Sequence, residues 1–275
     1  MKKGILLLLV LAGAVAAGAR ADGGGPASIL FGGKGVLAPD GKVRYVALTT
    51  GRQTMLSAIR VRGGQVIRSR LVHGYLGVPV VGLDGTTGGV SRDGRTVVLA
   101  ATPTASRSGV TSTRFAVVET RRFRLREVEL MGSWSYDAIS PDSKTLFLVE
   151  YLSTGPTPPY RVRAYNLTAR RLFAKVVVDR QEKEAVMFGQ PVTRATSADG
   201  RWAYTLYARA RQQPFVHALD TVRRQARCVD LPLRLGKEEQ MGLRLRIGAG
   251  GELEVRSGRT TAAVVDTTTF GVRRS

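Results

Sequence analysis

Ala138-Ile139-Ser140-Pro141-Asp142-Ser143-Lys144, running into Leu146-Phe147-Leu148-Val149, holds an apolar strand, a tight polar turn and a second apolar strand. Pro141 pre-sets the backbone at the first turn position, and an Asp followed by a residue tolerating positive φ closes a hairpin this short. Ser143 occupies the place best filled by glycine, so this copy should be costlier than one ending in Asp-Gly.

The same pattern recurs along the chain. Val36-Leu37-Ala38-Pro39-Asp40-Gly41-Lys42 leads into Tyr45-Val46-Ala47-Leu48, and Val90-Ser91-Arg92-Asp93-Gly94-Arg95 into Val97-Val98-Leu99-Ala100. Ala195-Thr196-Ser197-Ala198-Asp199-Gly200-Arg201 leads into Trp202-Ala203-Tyr204-Thr205-Leu206-Tyr207. A decayed fifth copy is Ile247-Gly248-Ala249-Gly250-Gly251-Glu252 into Leu253-Glu254-Val255. The turn aspartates are 53, 49 and 57 residues apart. Between the copies lies an outer hairpin, as in Val117-Val118-Glu119-Thr120-Arg121-Arg122 into Leu125, or His217-Ala218-Leu219-Asp220-Thr221-Val222 into Ala226. Apolar residues alternate throughout, and convincing helical periodicity is absent.

Each unit therefore holds four strands in meander order. One such meander cannot bury both faces, whereas neighbours round an axis bury them together. The expectation is an all-β chain folded as a single β-propeller of five four-stranded blades. A sixth, degenerate blade drawing on Ala27 to Phe31 and a pair of β-sandwiches are the alternatives. Ser140-Pro141-Asp142-Ser143-Lys144-Thr145-Leu146 resembles the Ser-Pro-Asp-Gly turn of secreted bacterial propellers of the YVTN, TolB and WD40-like kind. The resemblance spans residues 33 to 274, although the hallmark dipeptides of true WD40 proteins are absent. It implies a fold and no particular activity, since that superfamily hosts enzymes, receptors and scaffolds.

The first 21 residues read as a secretory signal peptide. Lys2 and Lys3 precede an apolar run from Gly4 to Ala17, and Ala19-Arg20-Ala21 offers a cleavage site before Asp22. An uncleaved anchor is the alternative, though the run is short of the roughly 20 residues that span a bilayer. Residues 22–32 form an N-terminal segment, and 33–275 the propeller. No second long apolar run follows, so no span is expected after cleavage. The expected location is the cell envelope or outside it, and the expected state a monomer.

Lys and Arg number 42 against 21 Asp and Glu, a net charge of +21. The basic residues are spread along the chain, as arginine-rich codon usage would leave them; selection for anionic surfaces is the competing explanation. Basicity suits nucleic acid, but an export signal argues against that partner. Cys228, the single cysteine, cannot pair within the chain and reads as a small buried hydrophobe in a strand. Of two histidines, His217 reads as a satisfied structural residue sharing a strand face with Phe215 and Leu219, and His73 as a loop residue.

No catalytic constellation, metal-ligand set or cofactor motif stands out. Aligning the units on their turns makes Lys34, Thr87, Tyr136, Thr193 and Arg244 equivalent, followed by Gly35, Gly88, Asp137, Arg194 and Leu245. If these innermost positions face the axis, Lys34, Tyr136, Asp137, Arg194 and Arg244 form a basic funnel for an anionic ligand. An Asp137–Arg194 ion pair between blades is the structural alternative. Surplus aromatics (Trp134, Tyr136, Phe147, Tyr151, Tyr160, Tyr165, Trp202, Tyr204, Tyr207) pack blades or line a recognition face. Ser/Thr-rich Thr102 to Thr113 and Pro-rich Ser153 to Tyr160 are loops where binding usually lives. These features predict a non-catalytic binding or scaffold propeller recognising a protein, an anionic envelope polymer or a small anion. A propeller hydrolase or lactonase with an axial site is the alternative.

Overall fold

Two turn types, repeated from blade to blade, set the architecture. In the inner turns, Oδ1 of Asp40, Asp93, Asp142 and Asp199 accepts the amide N–H two residues ahead at 2.9–3.1 Å. The residue between them is left-handed: Gly41, Gly94, Ser143 and Gly200 have φ of 69°, 67°, 63° and 73°. Ser143 thus adopts the conformation expected to be costly for it. Ser91, Ser140 and Ser197 tie the same turns, donating to the Asp carboxylate and accepting the N–H of Thr96, Thr145 and Trp202. In the outer turns, Glu119, Asn166, Asp220 and Asp266 each accept two successive amides.

These turns join strands that pair antiparallel in chain order in a computed structural model describing residues 31–50, 52–105, 111–155, 157–179, 181 and 185–274. Blade I holds β1 (Val36–Leu37), β2 (Val43–Thr50), β3 (Gln53–Arg60) and β4 (Val66–His73). Blade II holds β5 (Leu76–Gly77), β6 (Thr96–Ala101), β7 (Thr104–Ala105), β8 (Thr111–Glu119) and β9 (Arg124–Met131). Here β7 continues the line of β6 along β8 beyond Pro103, which has no N–H to give the ladder. Blade III holds β10 (Ser133–Ile139), β11 (Thr145–Tyr151), β12 (Tyr160–Asn166) and β13 (Arg171–Val177). Blade IV holds β14 (Gln190–Thr196), β15 (Trp202–Ala208), β16 (Phe215–Asp220) and β17 (Gln225–Asp230). A short helix α1 (Lys237–Met241) precedes blade V, with β18 (Leu243–Ile247), β19 (Leu253–Ser257), β20 (Thr260–Val265) and β21 (Val272–Arg274). Five residues are too few to show helical periodicity, so α1 left no sequence signal.

The sheets form a β-propeller of five blades. Alternation along each strand sends one set of side chains to each neighbour, and four apolar seams result. Leu56 and Ala58 meet Val97 and Leu99 between blades I and II. Phe115 meets Trp134 and Leu148 between II and III. Phe147 and Val162 meet Tyr207 and Phe215 between III and IV. Leu206 and Val216 meet Leu243 and Val255 between IV and V. Among the described residues no such cluster joins blade V to blade I. The expected sixth-blade segment lies outside the described residues from 27 to 30. Phe31 bridges Pro79 and lies over Gly77, so it serves blade II's inner edge. The signal segment 1–21 also lies outside the described residues.

Candidate functional site

The axis holds an element that the repeat alignment did not anticipate. The innermost strand of blade II is split. β5 pairs with Ala100 and Ala101, the chain leaves at Val78, and it rejoins β6 where Gly89 O accepts the N–H of Val98. The excursion 78–88 is a small hairpin, closed by the Val80–Thr87 bridge with Gly85 at φ 84° near its tip. That tip reaches blade IV: the N–H of Leu83 and of Asp84 donate to Pro191 O and Val192 O, each at 3.0 Å. Gly82 permits this approach, since a Cβ there would lie 2.9 Å from Thr193 Cα. Thr87 is thus a hairpin residue, not an innermost-strand equivalent of Tyr136.

Beneath the hairpin, blades III and IV are joined by a buried ion pair. A bulge between Tyr136 and Ala138 turns Asp137 out of the β10 ladder. The Arg194 guanidinium donates to both the carboxylate Oδ1 and the carbonyl of Asp137. It also donates to Thr205 Oγ1 at 2.9 and 2.7 Å. The two side chains are 2% and 8% exposed. Asp137 Oδ2 has no hydrogen-bond partner among the described residues. Burial pushes the hydroxyls of Tyr136, Tyr151 and Tyr207 well above the ordinary phenol range, so they stay neutral.

Three of the five residues expected at the axis therefore come together: Tyr136, Asp137 and Arg194. They separate two cavities. The one at the inner-turn mouth, about 390 Å³, is walled by Pro39, Arg92, Ile139, Ser197 and Gly200. The one toward the opposite face is about 30 Å³, lined by Ser135, Tyr151, Tyr160 and Tyr207, and is of the order of a water or two. Tyr160 stacks on Tyr207 at 5.5 Å and meets Tyr151 edge-on at 6.4 Å. The other two expected residues lie elsewhere. Lys34 is exposed and lines neither cavity. Arg244, half exposed, has Nε 3.8 Å from Asp84 Oδ2 on the hairpin tip. His217, read as satisfied, is fully buried against Tyr207, but its Nε2 has no partner among the described residues. Burial holds its pKa below the usual value. His73 closes β4 rather than standing in a loop. Among the described residues no three His, Cys, Asp or Glu side chains converge as a metal site would require.

A second surface emerges from the missing seam. Blades follow the axis in chain order, so among the described residues blades I and V each keep one face that no other blade covers. On blade I, strand register aligns Leu48, Met55 and Leu71 in one row and Val46, Ser57 and Ser69 in the next. The third row of the same face is Leu37, Arg44, Ile59 and Val66. Leu48 is 57% and Leu71 51% exposed. Arg68 and Arg70 of β4 turn to the other side, donating to Arg121 O and Phe123 O of blade II. The sequence does not distinguish this face, because its alternation matches that of covered strands.

No family model and no curated protein matches the sequence. Solved structures do align with it. Kuenenia stuttgartiensis hydrazine synthase is 13% identical, with 87% of this chain and 78% of that one covered and a TM-score of 0.43. TolB from Acinetobacter baumannii is 13% identical, with 80% and 50% covered and a TM-score of 0.45. The β-propeller domain of Cps50 (Swd1) from Myceliophteria thermophila is 12% identical, with 90% and 67% covered and a TM-score of 0.44. The fold assignment rests on the sheet order and the four seams. Among the described residues no helix is long and apolar enough to cross a membrane.

Proposed function

We propose that this chain is a non-catalytic binding or scaffold propeller of the cell envelope, and that its ligand is a protein. The observation that carries the reading is the uncovered apolar face of blade I. Contiguous exposed apolar surface on an otherwise well-packed protein marks an interaction site. The axis supports the same reading: the chain's own hairpin crosses it, and its buried carboxylate is already held by Arg194. The export leader read at residues 1–21 supports an encounter outside the cytoplasm.

The axial hydrolase alternative has one observation in its favour, the unpartnered Asp137 Oδ2 beside a cavity. One experiment separates the two. Wild type and the Leu48→Glu/Leu71→Glu variant are used as baits on a bacterial envelope extract, and ester and lactone turnover is assayed in parallel. The binding reading expects a component retained by wild type and released by the variant, with no turnover. Turnover lost in Asp137→Asn, with nothing retained, would replace it by the hydrolase.

A further inference from the structure

The sector between blade V and blade I has walls of opposite chemistry, and together they specify an occupant. One wall is the free face of blade I, where Leu37, Val46, Leu48, Met55, Ile59 and Leu71 stand on one side of a sheet, with Arg44, Ser57 and Ser69 among them. The other is the free face of blade V. There the register aligns Arg246 with Glu254 and Arg244 with Arg256, and β21 adds Arg273 beside Val264. That makes four arginines against Glu254, with Asp84 of the axial hairpin 3.8 Å from Arg244. Glu254 is shared between Arg246 at 3.3 Å and Arg256 at 3.1 Å. The surroundings of the apolar wall are basic too: residues 31–75 hold eight Lys and Arg against Asp40 alone.

We propose that this sector receives an acidic, amphipathic β-hairpin or sheet of a partner protein. Its apolar side packs on blade I and its carboxylate side meets the arginines of blade V. A β-strand alternates its side chains with a period of two, so one element can present both chemistries at once. The position is that of a further blade, with the face-to-face sheet packing of the four existing seams. A second copy of this chain would bring another strongly basic blade I against the first, at an electrostatic cost. A bilayer is too thick and too flat to enter a sector between two blades. The inference rests on the binding-propeller reading and names the partner's chemistry.

The test uses a backbone-cyclised β-hairpin with valine and isoleucine on one face and glutamate on the other. Its binding to the full chain is followed by fluorescence anisotropy at low and high salt. Saturable binding is expected, weakened at least about tenfold in Leu48→Glu/Leu71→Glu, whose sites are exposed and tolerate the change. Arg246→Glu should weaken it less, and salt should lower affinity for wild type more than for Arg246→Glu. Equal binding of a hairpin with the same residues mixed on both faces would overturn the proposal, as would variants without effect. Binding of phosphatidylglycerol vesicles but not the hairpin, or a dimer dispersed by Leu48→Glu/Leu71→Glu, would also overturn it. Those two outcomes would leave the binding reading standing. Failure of the hairpin together with an empty envelope pull-down would remove both.

Discussion

Blades I and V are the two ends of one ring, and they end it differently. Blade V turns a row of arginines and Glu254 outward, the polar cap that a terminal repeat needs if its outer face meets water. Blade I leaves Leu48 and Leu71 half exposed on the corresponding face. The same four-strand unit, with the same turn chemistry, is finished for solvent at one end and unfinished at the other. Periodic folds are stabilised by neighbour contacts, so an end without a cap is a place for a neighbour. On the proposed reading, this difference favours a binding surface at blade I over one at the axis, where blades II, III and IV meet one another.

The largest effect that would sharpen this contrast lies at the middle blades. Asp137→Ala leaves the Arg194 guanidinium buried without its carboxylate, held only by Thr205 and the backbone carbonyl of residue 137, and should cost about 3–5 kcal/mol by chemical denaturation. A loss below about 1 kcal/mol would mean that the pair is not buried as described. The direct comparison within blade I comes next. Leu56 faces blade II and is fully buried, so Leu56→Ala should cost about 2–5 kcal/mol, whereas Leu71→Ala on the free face should stay within about 0.5 kcal/mol. Equal losses at the two positions would mean that the free face is covered and the contrast is false.

A smaller effect tests the buried polar cluster by pH. Folding holds the His217 pKa below its unfolded value of 6.5, through burial. As pH falls through that unfolded value, the unfolded chain takes up a proton that the folded chain resists, so folding stability declines. The melting temperature should therefore drop between pH 7.5 and 5.5, and drop less in His217→Gln. Identical pH profiles would show that His217 is not the group responsible. The smallest expected effect is at the middle ring of turns. Ser143→Gly relieves a left-handed serine but removes its 2.8 Å hydrogen bond to the Asp93 carboxylate, so stability should change by less than about 1 kcal/mol, read as a small shift in melting temperature.

What the sequence disclosed was local or periodic. Asp40, Asp93, Asp142 and Asp199 announce the inner turns because their hydrogen bonds reach only two residues ahead, and the outer hairpins follow from alternation. The Asp137–Arg194 pair was legible as one of two alternatives, since both sit at the same offset from their turns. The axial hairpin was not. Asp84-Gly85 reads as a turn, but its direction depends on Gly82 clearing Thr193 in another blade. Ring closure was equally hidden: Leu48, Met55 and Leu71 alternate just as Leu56 and Ala58 do, and only the placement of neighbours shows which set is covered. Lys34 and Arg244 were misplaced for a related reason. The repeat alignment gives their position along a strand, not whether the chain's own excursion or the solvent lies in front of it.

The central claim is that blade I carries a face no other blade covers, and cysteine labelling of dilute native protein tests it most directly. With Cys228 replaced by serine, single Leu48→Cys, Leu71→Cys and Leu56→Cys variants are exposed to a maleimide and their rates compared with those of the unfolded chains. The account predicts near-unfolded rates at 48 and 71 and strong protection at 56. Protection at 48 and 71 equal to that at 56 would contradict it and close the ring.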